Sequence, residues 1–264
     1  MVSSSSNTWS LPRGETWSCK IHFEDVSPHS FGDIVSNLIT RYDLFPTPVW
    51  QFKMPNWYAI EEEIVTYLMQ DSVYFTHLEK NGIQTSDGDL HIRHDTLNPV
   101  RDFFQESFEE VMDIMGYDKK CGLTTMWATR ARAGGVHHEH IHRNTFLAGV
   151  FYAFDSDNAA HGTAFKNPQS NLYQLSPRAK DGSRELLSNS AVMPFEAGTC
   201  VIFPSWAVHH TYPSPSRCRI IIGANSMPIG KPNTDHYHQY DFPDPADIGY
   251  MNLEEHLKDG YKRR

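Results

Sequence analysis

The chain has 264 residues and a formal net charge of −9 at neutral pH. That length suits one large domain, or one domain with extensions, around a substantial core. The acidic balance and the lack of a Lys/Arg run argue against nucleic acid or an anionic membrane as partner, and no apolar stretch approaches the ~18 residues of a membrane span.

Residues 1–43 carry a Ser-rich start and Trp9 and Trp17 without clear periodicity, and read as an N-terminal extension. The start lacks the basic and apolar regions of a secretory signal. Residues 44–50, with Pro46 and Pro48, predict an edge strand, because proline cannot donate to a sheet ladder on both sides. A helix follows over 61–68. A second opens with Asn98 as cap and Pro99 in the first position. In it Phe104, Phe108, Val111 and Met115 recur on one face, and Gly116 ends it. The stretch 58–116 therefore reads as helical support.

From residue 121 the pattern changes to short β-like runs at 124–132, 145–154, 162–165, 199–203 and 217–225, separated by turn residues. Such spacing predicts a sandwich or barrel over 121–227. Within it, 199–203 and 218–222 read as the two strands of a hairpin with His209 at its mouth. His161-Gly162 reads as a turn, the polar stretch 167–194 as a loop, and 228–264 as an irregular tail with a short helix near 253–257. The four cysteines, Cys19, Cys121, Cys200 and Cys218, contain no CxxC pair and form no disulfide framework. Reduced thiols and a cytoplasmic protein are expected, with Cys200 and Cys218 as core filler.

The densest chemistry lies at His137-His138-Glu139-His140-Ile141-His142: four of fifteen histidines and a carboxylate in six positions. His209 follows 67 residues after His142, and Arg219 ten residues later. Two ligands at i and i+2 on a strand point the same way, and a distant third closes a triangle with open positions opposite, as mononuclear non-haem iron requires. Either His140 and His142 or His137 and Glu139 supply the pair; spacing leaves both open. A His-rich tract that binds metal only adventitiously is the plainer reading. Arg219 lies inside an apolar strand, which is costly unless it is paired. A carboxylate ligand is its natural partner, against a structural salt bridge to Asp or Glu. Arg217 sits in the preceding turn and reads as solvated.

The run His140-Ile141-His142-Arg143-Asn144-Thr145-Phe146-Leu147-Ala148-Gly149-Val150-Phe151-Tyr152 resembles the HxHxxxxLSGVYY signature of a 2-oxoglutarate/Fe(II) oxygenase family common in marine bacteria and tailed phages. Phe45-Pro46-Thr47-Pro48, Trp127, Gly135, Asn167-Pro168, Phe203-Pro204-Ser205-Trp206, His209 and 219–225 extend the resemblance over about 44–227. It implies a double-stranded β-helix, a jelly-roll or cupin-like barrel, mainly β with flanking helices. It also implies an oxygenase domain over 44–227, with 228–264 as a tail, in the cytoplasm of a bacterium or phage-infected cell. His140, His142 and His209 would hold Fe(II) and Arg219 would bind 2-oxoglutarate, with Tyr152, Thr211 and Asn225 as further candidates for the cosubstrate pocket. Ile221 stands where related members often carry a hydroxyl residue. The implied reaction uses O2 and hydroxylates a C–H bond of a small-molecule or peptide substrate, releasing succinate and CO2. Two alternatives compete: a cupin-type three-histidine enzyme that does not use 2-oxoglutarate, and a non-catalytic barrel-fold binding or virion protein. Neither substrate nor oligomeric state is legible.

Overall fold

The structure, a computed structural model, describes residues 47–75, 81–169 and 189–230. The chain divides between Phe45 and Pro46. The expected extension at 1–43, the middle of the expected loop and the expected helix near 253–257 lie outside the described residues.

The first element is β1 (Trp50–Lys53). It begins after the prolines instead of containing them, and among the described strands it is an edge, paired with β7 (Thr199–Pro204). Pro48 has no N–H for the ladder, so pairing starts beyond it. Helix α1 (Glu61–Leu68) opens on Glu61, Glu62 and Glu63, which suit the positive end of the helix dipole, and buries Ile64 and Leu68 four residues apart. A short β2 (Ile83–Thr85) and a single-turn α2 (Leu90–Arg93) follow; the sequence carried no periodic signal for either.

Helix α3 (Asn98–Ile114) differs from expectation at both ends. Asn98 is its first helical residue and Leu97 its cap. The Asn98 side chain bonds Asp95 and Arg101 instead of the helix N–H groups. At the other end Met115 is exposed, and Met112 takes its place in the core. The buried stripe is Val100, Phe103, Phe104, Ser107, Phe108, Val111 and Met112. Its rings meet Phe151, with centroids 6.0 Å from Phe103 and 6.3 Å from Phe104.

The sheets are antiparallel throughout. Strands β3 (Cys121–Ala131), β4 (Leu147–Asp155) and β9 (Arg219–Pro228) join β1, β2 and β7 in the order β1-β7-β4-β9-β3-β2. Strands β5 (His161–Lys166), β6 (Ser190–Pro194) and β8 (His209–His210) make a second sheet in the order β6-β5-β8. No closed barrel forms among the described residues. Three expectations change here. His161-Gly162 begins a strand, not a turn. The end of the expected 167–194 loop is a strand, β6. The expected 199–203/218–222 hairpin does not exist, because β4 lies between β7 and β9 and the chain visits the second sheet at β8 on the way.

One face of the large sheet packs on the helices through Leu147, Phe151, Ile202, Ile220 and Ile222. The other faces the small sheet through Ala148, Val150, Tyr152, Val201, Phe203 and Ile221, which pack with Phe165 of β5. Cys121 and Cys200 are buried and Cys218 is half-buried, all as free thiols. No described helix is long and apolar enough to cross a membrane.

Candidate metal centre

Residues 137–142 form no continuous strand. They are held to the chain around β8 by backbone bonds instead. His140 and His209 exchange N–H···O bonds of 3.0 Å in both directions, and the His142 N–H donates to the Ser205 carbonyl at 3.0 Å. This pairing brings three rings together: His140 to His209 at 4.2 Å, His142 to His209 at 5.1 Å and His140 to His142 at 5.5 Å between centroids. One ring nitrogen from each of His140, His142 and His209 lies within 4.8 Å of the others. Among the described residues this is the group that could hold a metal ion.

The outer hydrogen bonds fix the tautomers. His140 Nδ1 meets the His138 carbonyl at 2.7 Å, and His209 Nδ1 meets the Ala207 carbonyl at 2.9 Å. His142 Nδ1 meets Asn225 Oδ1 at 2.5 Å, while the Asn225 amide donates to Thr125 Oγ1 at 3.0 Å. Each of these oxygens can only accept, so each Nδ1 carries the proton and each Nε2 keeps its lone pair. That is the form a metal-binding imidazole needs. Burial pulls the His209 pKa down to about 3, with His140 adding to the effect. Burial also lowers that of His142. Both rings are therefore neutral at pH 7. Trp127 lies 5.6 Å from His142, and a Cβ at Gly223 would run into its indole, so Gly223 keeps this wall in place.

The alternative pair falls differently. Glu139 is exposed, and its Oε2 lies 2.9 Å from Lys166 Nζ, which lowers its pKa. The His137 backbone pairs with Thr211, and its Nε2 is buried without a partner. Neither joins the three-histidine group.

Arg219 is 2 % exposed. One Nη2–H reaches Thr211 Oγ1 at 3.4 Å, and its Nε has no partner. Among the described residues no carboxylate lies within ion-pair distance of it. Asp155, its opposite number across the ladder, instead accepts N–H bonds from Asp157, Ala159 and Ala160. Arg217 is paired with Asp157 at 2.9 Å. Tyr152 is saturated within the fold: its hydroxyl donates to Thr163 Oγ1 at 3.1 Å and accepts the Thr163 N–H at 2.9 Å, and burial raises its pKa to about 12. Asn225 holds His142. The sequence reading passed over Thr129, on the same face of β3 that meets Arg219; its hydroxyl is buried and unpaired. Alternation with Trp127 and Ala131 was the available signal.

Residues 125–225, spanning all three histidines and Arg219, match the family described as "Putative 2OG-Fe(II) oxygenase". The matched segment is similar to this family over 125–225. This family of oxidoreductases uses iron and 2-oxoglutarate, with O2 as the usual cosubstrate. Comparison with curated proteins by sequence finds no match. Among solved structures, this chain is similar to the alpha-ketoglutarate-dependent epimerase SnoN from nogalamycin biosynthesis. The two are 14% identical, with a TM-score of 0.51 over 69% of this chain and 78% of SnoN. The same epimerase with Fe3+, alpha ketoglutarate and nogalamycin RO gives 14% identity and a TM-score of 0.50 over 69% and 79% of the two chains. A Pseudomonas putida prolyl-4-hydroxylase is 11% identical, with a TM-score of 0.49 over 68% of this chain and 92% of its own. The SnoN likeness identifies the fold as the double-stranded β-helix, with no closure of the two sheets among the described residues.

Proposed function

We propose that the protein is a 2-oxoglutarate- and Fe(II)-dependent dioxygenase that hydroxylates a C–H bond of a small molecule or peptide. His140, His142 and His209 hold the iron through Nε2, and Arg219 takes the distal carboxylate of 2-oxoglutarate. When bound, iron and 2-oxoglutarate would together activate O2, the oxidant, with one oxygen atom going to succinate as CO2 leaves and the other to the substrate. The chain's own residues supply the rest. Asn225, the His138 carbonyl and the Ala207 carbonyl keep the three rings in the ligating tautomer. The apolar wall of Trp127 and Phe203 beside His142 keeps water off that ring. Thr211 orients the guanidinium. Tyr152 lies nearby with its hydroxyl already satisfied, so it packs the pocket rather than binding the oxo-acid.

The observation that carries this reading is the convergence of three imidazoles whose Nδ1 atoms are all occupied by acceptors. The buried Arg219 with a free Nε supports the oxo-acid half: an unpaired buried guanidinium is costly, and a carboxylate answers its fork geometry. A three-histidine cupin-type enzyme would share the first feature and not require the second. Residues 44–227 form the catalytic unit in this reading, with 1–43 and 228–264 as extensions. The free thiols fit a reducing, cytoplasmic setting.

The test is succinate formation from 2-oxoglutarate in the presence of Fe(II) and O2. The wild-type chain is expected to form succinate only with all three present. His209→Ala is expected to lose the activity through iron. Arg219→Leu is expected to weaken 2-oxoglutarate by roughly 100-fold at unchanged iron affinity, the scale of a lost charge-assisted pair. Iron-loaded wild type that makes no succinate and binds no 2-oxoglutarate would overturn the proposal.

A further inference from the structure

Three polar atoms beside Arg219 end without partners: its own Nε, His137 Nε2 and Thr129 Oγ1. Thr211 ties two of these residues together. Its hydroxyl oxygen accepts the His137 backbone N–H at 3.0 Å and an Arg219 Nη2–H at 3.4 Å, and its own N–H returns to the His137 carbonyl at 3.0 Å. With both lone pairs used, the Thr211 hydroxyl has only its proton to offer. Arg219 Nε–H is a donor only, and the Thr129 hydroxyl and the neutral His137 ring can each turn a proton toward an anion.

The His137 ring lies 6.0 Å from the His140 ring, and Thr211 links the His137 backbone to the Arg219 guanidinium. His137 thus borders both the arginine and the three-histidine group. A purely structural histidine in such a place would have its buried nitrogen paired within the fold. A fourth metal ligand would belong to the group whose nitrogens lie within 4.8 Å, and His137 does not.

We propose that His137 is a binding residue for the oxo-acid, donating a hydrogen bond from its ring to the carboxylate that Arg219 pairs, with Thr211 as the hinge that fixes both. The proposal rests on the oxygenase reading above and assigns part of its cosubstrate pocket.

The experiment is calorimetric titration of the anaerobic, Fe(II)-loaded full chain with 2-oxoglutarate, and separately with 2-oxobutyrate, which lacks the distal carboxylate. His137→Leu is expected to weaken 2-oxoglutarate about tenfold, the scale of one hydrogen bond to a charged group. His137→Gln, which keeps a donor, is expected to stay within about threefold of wild type. Binding of 2-oxobutyrate and of Fe(II) should be the same in all three proteins. Equal 2-oxoglutarate affinity in wild type and His137→Leu would overturn the assignment, as would loss of iron in His137→Leu. Wild type that binds iron but no 2-oxoglutarate would instead sink the oxygenase reading itself. Should His137→Leu fail to fold, nitrogen NMR of wild type loaded with Zn(II) decides. The His137 ring nitrogens are expected to shift on adding 2-oxoglutarate and to stay put with 2-oxobutyrate; no response to 2-oxoglutarate would overturn the assignment.

Discussion

Strand β9 has two faces that obey different rules. Ile220, Ile222, Ala224 and Ser226 point to the helices, where polar atoms find partners inside the fold. Ser226 Oγ donates to the Leu147 carbonyl at 3.2 Å, and Gln105 bonds both the Cys121 carbonyl and the Leu123 N–H. Trp57 Nε1 is an exception on that side. Arg219, Ile221, Gly223 and Asn225 point to the second sheet, where Arg219, Thr129 and His137 each leave a buried atom unpaired. Each such atom costs about 1–3 kcal/mol. The helical face closes most of its polar atoms within the fold, whereas the inner face carries a stability cost that the proposed metal and anionic ligand would offset.

The sharpest way to break that contrast is Phe104→Ala on the helical face. Loss of a fully buried ring should cost about 3–5 kcal/mol in urea unfolding and leave the iron affinity of the folded protein unchanged. A parallel loss of iron affinity would show that the two faces are not independent.

Histidine protonation is the next largest effect. Burial holds His91, on α2, at a pKa of about 4, against about 6.5 in the unfolded chain. Between those values the unfolded chain binds a proton that the folded one refuses. Stability from this source is complete above pH 6.5 and falls as pH drops to 4, by up to about 3 kcal/mol. Urea midpoints measured across that window should show a shallower slope for His91→Leu than for wild type; identical slopes would remove His91 from the account.

On the inner face, Asn225→Ala frees His142 Nδ1 and should weaken iron binding about 10–100-fold, with little change in thermal stability. An unchanged iron affinity would leave Asn225 a bystander. The smallest effect has the most telling sign. Arg219→Met removes an unpaired buried charge, so it should leave stability unchanged or raise it by about 1 kcal/mol while abolishing tight 2-oxoglutarate binding. A large loss of stability would mean that Arg219 is structural.

Local patterns were legible in the sequence because they depend on neighbours only. The 61–68 helix, the stripe through Phe104, Phe108 and Val111, and the β runs after residue 121 all follow from periodicity. The features that escaped are set by distant partners. β6 is a short strand with exposed residues, so no apolar alternation marked it. The interposition of β4 between β7 and β9 is a property of sheet order, which no local signal encodes. The choice between the two candidate pairs in 137–142 was likewise undecidable from spacing. What separates them is Lys166 drawing Glu139 outward and the chain at Ser205 and His209 holding His140 and His142. Met115 shares the stripe of Phe108 and Val111 but lies just past the last helical residue, Ile114, where it is exposed. The unpaired hydroxyl of Thr129 is visible only once β3 is seen beside Arg219.

The most direct test of the central claim is an anaerobic titration of the metal-free protein with Fe(II) and then 2-oxoglutarate, followed by visible absorption. Wild type is expected to develop a charge-transfer band that requires both additions. The band should be absent in His142→Ala and in His209→Ala, and should persist in Glu139→Ala. Iron binding without any such band in wild type would contradict the account, and a band lost in Glu139→Ala but kept in His142→Ala would move the metal to the other pair.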